Sequence, residues 1–143
     1  MASPTKPKNG MTLTRSAEMK YYDELARYER DGLDIVVDKT WEDMDPADSF
    51  DDSCYDIQEI REDINSGRLD WFMLRVRVMV DELELGSAYL GGCLYGDPKN
   101  VLTDGTAEDI IAEAMIEAKK AVWPLMRKLQ GINELIEREV AGV

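Results

Sequence analysis

From Phe72 to Val80 the even positions are Phe, Leu, Val, Val and Val, and the odd positions between them are Met, Arg, Arg and Met. Apolar side chains at every second residue put one face of a β-strand in a core and the other toward water. A helix would scatter the same residues around its circumference. The stretch from Asp70 to Gly96 is therefore the part around which the chain is organised. Asp81 and Glu82 make a tight connection, and Leu83, Leu85, Tyr89 and Leu90 supply a returning strand, so residues 70–80 and 83–95 form a hairpin. Gly86 and the pair Gly91-Gly92 interrupt the second strand, which marks a bulge, a bend or a close backbone approach. Residues 33–41 read as a further short strand, with Ile35 and Val37 on one side. It joins the hairpin, because two strands alone are marginal in water.

Helical spacing flanks these strands. Met19, Tyr22, Leu25 and Ala26 share a stripe that Tyr21 and Tyr28 widen, predicting a helix over about 15–30 capped by Thr14 or Ser16 and stopped at Asp31-Gly32. A second helix is expected over about 54–66, with Tyr55 or Ile57, Ile60 and Ile64 inward and Gly67 as its stop. A third runs over about 107–122. Thr106 is its expected cap, Glu108 and Asp109 complement its dipole, and Ile110, Ile111, Ala114, Met115, Ala118 and Val122 form its buried stripe. Pro124 lacks a donor and crowds the preceding turn, so a break or kink is expected near Ala121. Beyond it, over about 125–139, Leu125, Leu129, Ile132, Ile136 and Val140 form one apolar seam interrupted by Gly131. That seam either folds back on the domain, the preferred reading, or pairs with a second copy to give a homodimer through Leu125, Leu129, Ile132 and Ile136. The expected architecture is α+β: a three-stranded antiparallel sheet packed against four helices, in a single domain over 14–143 behind a disordered leader over 1–13.

Composition narrows the function. With 143 residues, 44% hydrophobic and 33% charged, the chain reads as one soluble globular domain. No run approaches the roughly 18 apolar residues of a membrane span. The opening MASPTKPKNG has no apolar signal core, so a cytoplasmic setting is expected. Cys54 and Cys93 are far apart and make no CxxC pair, which points to free thiols. There is no histidine. Ser-His-Asp and Cys-His catalysis, histidine metal ligation and histidine pH switching are removed together. Cys93 has no base near it in sequence and an apolar context, the mark of a small core residue rather than a nucleophile. A non-enzymatic protein without cofactor or metal is the expectation.

The formal net charge is −13, and residues 38–63 hold 11 acids against Lys39 and Arg61, or −9 of that total. Such a field repels nucleic acid and anionic membranes and attracts basic protein surfaces. Asp43-x-Asp45 followed by Asp48 has the look of a calcium loop, but the required glycine and terminal glutamate are missing. Paired carboxylates could serve acid-base chemistry or hold Mg²⁺, but the apolar surroundings that shift a carboxyl group are not evident. The remaining reading is a docking surface for a basic, nucleic-acid-binding partner. In it Glu42, Asp43, Asp45, Asp48, Asp51, Asp52, Asp56 and Glu59 steer encounter while Trp41, Phe50 and Tyr55 anchor it. Against this stands an equally weighted alternative, that the three aromatics merely tuck the loop onto the core.

The segment LELGSAYLGGCLYGDP, with Leu85, Gly86, Ser87, Tyr89, Leu90, Gly91, Gly92 and Cys93 in a GS-x-YLGGC pattern before an acid-capped helix, resembles small acidic proteins of bacteriophages and mobile elements. The resemblance covers about a third of the chain. It implies a genomic setting in which such proteins block host defence nucleases or restriction enzymes. The function expected is thus an acidic inhibitor or nucleic-acid mimic that occupies a partner's basic groove, with a self-associating assembly module as the alternative.

Overall fold

The computed structural model describes residues 20–142. Its centre is a four-stranded antiparallel sheet in chain order: β1 (Asp23–Arg30), β2 (Leu33–Trp41), β3 (Asp70–Val80) and β4 (Leu83–Tyr95). Two α-helices complete it, α1 (Ile57–Asn65) and α2 (Thr106–Ala141), with short 3-10 turns at Pro46–Asp48 and Pro98–Leu102. The α+β class is as expected, but the sheet has four strands and not three. Of the expected helix over 15–30, residues 23–30 form strand β1 and 20–22 have no regular structure, while its proposed caps Thr14 and Ser16 lie outside the described residues, as does the leader.

The reason lies at Asp31-Gly32. Both residues have positive φ, 51° and 90°, the geometry of the two-residue turn whose twist matches antiparallel strands. The dipeptide closes a hairpin in which Arg30 opposes Leu33 and Tyr28 opposes Ile35. Leu25, Ala26 and Tyr28, whose spacing suggested a helical stripe, lie on a strand instead, and the charged residues among them protect an exposed sheet edge. Arg27 still reaches Glu24 at 2.9 Å, because the register slips between Glu24 and Ala26. Strand β2 is internal, between β1 and β3.

The alternation in β3 behaves as read. Phe72, Leu74, Val76 and Val78 are fully buried, together with Ile35 and Val37 of β2, under Ala107, Ile110, Ala114 and Ala118 of α2. Gly91-Gly92 form a bulge, since Phe72 opposes Cys93 while Leu74 opposes Leu90, and Gly92 takes φ +68°. Gly86 marks a close approach: a Cβ there would sit 2.7 Å from the Ala114 carbonyl oxygen, so only glycine lets α2 rest on β4. Helix α2 starts after Gly105, and Thr106 gives no side-chain cap. Asp104 takes that role, accepting from the Thr106 N–H at 2.9 Å and from the Tyr95 hydroxyl at 2.6 Å.

Helix α2 is one unbroken element of 36 residues that contains Pro124. The expected separate helices over 107–122 and 125–139 are a single rod of about 54 Å at 1.5 Å per residue. Proline removes one intrahelical bond, and strong helix formers on both sides carry the helix through it.

Candidate functional site

The acidic segment folds as a small lobe beside the end of the sheet, and most of its carboxylates serve that fold. Asp38 does not belong to the lobe. It is buried on the sheet face away from α2, where Arg75 binds it through two nitrogens at 2.8 and 2.7 Å and Arg77 at 3.2 Å. The Tyr22 ring stacks on the Arg75 guanidinium at 3.4 Å. Thr40 Oγ1 and Arg77 Nε on this face are buried without a hydrogen-bond partner.

Glu42 joins the lobe to the β4 bulge, accepting from the Gly92 N–H at 2.6 Å and the Met44 N–H at 3.2 Å. Asp43 accepts from the Trp41 indole at 2.8 Å and pairs with Lys20 at 3.2 Å. Asp45 accepts from the Ala47 N–H and pairs with Arg61 at 2.9 Å; the backbone bond first and the guanidinium second hold its carboxyl below the ordinary range. Asp51 is lowered in the same way by Ser53. Asp56 caps α1 by accepting from the Glu59 N–H at 3.1 Å. These are local turn and cap bonds of the kind that aspartate favours at helix starts and in loops.

Three of the proposed docking acids, Asp48, Asp52 and Glu59, are exposed with no side-chain partner among the described residues. The aromatics divide as well. Phe50 is half-buried, 5.0 Å edge-on from Tyr55 and 5.9 Å from Trp71, whose indole donates to the Met44 carbonyl at 2.7 Å. Trp41 is half-buried, whereas Tyr55 is exposed. Phe50, Asp51 and Asp52 come together with Ala47, Ile57 and Arg61 around an open groove of about 510 Å³. Among the described residues, no group of three or more acids and cysteines is placed to hold a metal ion. Cys93 is buried, and loss of water pushes its thiol up to about 11. Cys54 is an exposed free thiol.

The second surface is the far half of α2. At 100° per residue, Ala107, Ile110, Ala114 and Ala118 share one face, which the sheet covers. By the same count Leu125, Leu129, Ile132, Ile136 and Val140 fall on that face. Nothing among the described residues covers it. Leu125 is half-buried, and exposure then runs at 51% for Leu129, 44% for Ile132, 52% for Ile136 and 68% for Val140. The preferred expectation, that this seam folds back on the domain, is thus not what the chain does. Met126 and Leu135 are also largely exposed along the seam's flanks and extend the apolar surface beyond the four residues singled out from the sequence, while Trp123 is exposed on the side of the helix away from the seam.

No protein-family model, curated protein or solved structure matches the chain.

Pro124 lies off the seam, on the flank of the rod, so the apolar face passes it uninterrupted. Among the described residues no helix is long and apolar enough to cross a membrane, and the charged residues on the other faces of α2 account for that. The contrast between the surfaces is chemical. In the lobe, polar groups largely satisfy one another. On the rod, apolar side chains face water, where each fully covered one would gain roughly 1.5–3 kcal/mol by burial.

Proposed function

We propose that this chain is a non-enzymatic assembly module that self-associates through the half of α2 beyond Val122. The single observation that carries this reading is that one helical face is core as far as Ala118 and open to water from Leu129 to Val140. A contiguous exposed apolar surface of this kind marks an interaction site on a protein. The sheet and the first half of α2 form a complete core of their own, so the second half is not needed to close the fold. The test is the mass in solution by light scattering. The wild type is expected at a multiple of 16.2 kDa, and the Leu129→Glu/Ile136→Glu double variant at the monomer mass, still folded by circular dichroism and with a thermal midpoint that no longer depends on concentration.

A second reading has its own observation. Asp48, Asp52 and Glu59 are acids that the lobe's fold does not use, and they stand with the exposed ring of Tyr55 in the most acidic part of the chain. That arrangement supports docking on a basic, nucleic-acid-binding protein, the form an anti-defence inhibitor or nucleic-acid mimic of a phage would take. Affinity capture at low salt should then retain a basic protein that high salt releases. The Asp48→Asn/Asp52→Asn/Glu59→Gln variant should fail to retain it. Equal retention by the variant contradicts the reading.

A further inference from the structure

We infer that the occupant of the α2 seam is a second copy of this chain, packed antiparallel with its helix crossing near Ile132. The inference rests on the self-association just proposed and adds the partner's orientation. It is argued from how charge is distributed along the rod. Residues 119–128 carry Lys119, Lys120, Arg127 and Lys128 and no acid, whereas residues 129–142 carry Glu134, Glu137 and Glu139 against Arg138 alone. The rod therefore runs from +4 to −2 along its length. An antiparallel neighbour places the basic half of each helix beside the acidic half of the other. A parallel neighbour puts the basic half of each helix beside the basic half of the other, with Lys119 and Lys128 on the flanks of the seam. Like charges so placed disfavour that arrangement, as they do in designed helix pairs.

The bodies of the two copies point the same way. The segment after Ala118 has five bases and three acids, so the remaining 118 residues hold −15 of the net −13. Parallel packing would bring two such bodies side by side, whereas antiparallel packing holds them at opposite ends of the paired rods. The seams also match in this orientation. Leu125 to Val140 spans about 22 Å at 1.5 Å per residue, and a crossing near Ile132 overlaps the two seams along that whole length. The last turn of each helix then reaches Leu125 and Met126 of the other, the start of the seam and its exposed flank.

Distances between labels decide the orientation. Lys120 and Arg138 are exposed and lie off the seam, so Lys120→Cys and Arg138→Cys, each in a Cys54→Ser background, accept spin labels without disturbing the contact. The buried Cys93 stays unlabelled. In antiparallel pairs, 120 and 120 of the two copies are about 37 Å apart along the axis, and 120 and 138 about 10 Å. The expected result is a 120–138 distance in mixed samples that is clearly shorter than the 120–120 distance. The reverse order, with 120–120 the shorter, overturns the orientation while leaving self-association standing. A wild type that stays monomeric by light scattering overturns both. As a second readout, Lys128→Glu should weaken pairing roughly tenfold by placing acid against acid, and it should recover when mixed with the Glu137→Lys/Glu139→Lys variant. No recovery in the mixture contradicts the charge argument.

Discussion

At the scale of single residues, burial decides what each reactive group can do. Cys93 sits in the core beside the β4 bulge, and desolvation lifts its thiol to about 11 from an ordinary value near 9. The thiolate is the disfavoured form in the folded chain. The unfolded chain therefore loses its proton first as pH rises, so the stability this group contributes is intact below about pH 9. It falls between about pH 9 and pH 11, by roughly 2–3 kcal/mol at most. Urea unfolding of the wild type and of Cys93→Ala at about pH 8 and about pH 10.5 checks this. The wild type should lose stability relative to the variant at the higher pH, and parallel losses would contradict the burial argument. Asp38 illustrates the same rule with charge. Counted from sequence as part of the acidic run, it is instead locked against Arg75 and Arg77, its opposite number and near neighbour across the β2–β3 ladder.

Among the elements, the hydrophobic alternation of β3 and its returning partner was legible because a half-buried antiparallel strand writes its geometry at every second residue. Strand β1 was not, because an edge strand is charged on purpose and residues such as Glu24, Leu25, Ala26 and Arg27 also favour helices. The decisive signal was Asp31-Gly32, which serves a hairpin turn as well as it serves a helix stop, and only the following strand distinguishes them. The seam residues were legible by spacing, but their exposure was not. Whether a stripe finds a cover depends on how far the sheet extends under a rod of about 54 Å, and no local pattern encodes that. In the acidic lobe, composition revealed the charge but not its use, since a capping aspartate and a docking aspartate look alike in sequence. The seat of α2 on the sheet makes the element-scale prediction. Gly86→Ala should lower unfolding free energy by roughly 1–3 kcal/mol, because its Cβ meets the helix backbone at Ala114 and Ala118 and not a flexible side chain. Gly96→Ala, with nothing within 4 Å, is the control and should be near neutral. Equal chemical-denaturation midpoints for the two variants would refute that packing.

On the scale of the whole molecule, the chain is two objects joined by one helix. A sheet capped by the first turns of α2 and flanked by an acidic lobe forms a body with its own core. From it the rest of α2 projects as a rod whose apolar face is the direct continuation of that core. In the self-association proposed above, the body's charge opposes contact between copies and the rod's apolar seam favours it, so contact is concentrated on the rod. The rod, on this proposal, is a contact surface between copies. Sedimentation equilibrium of the wild type over a wide concentration range tests it most directly. A mass that rises with concentration from 16.2 kDa toward twice that value, and stays flat for Leu129→Glu/Ile136→Glu, is the predicted result. A wild type that holds the monomer mass at every concentration would contradict the account and leave the acidic lobe as the surface to pursue.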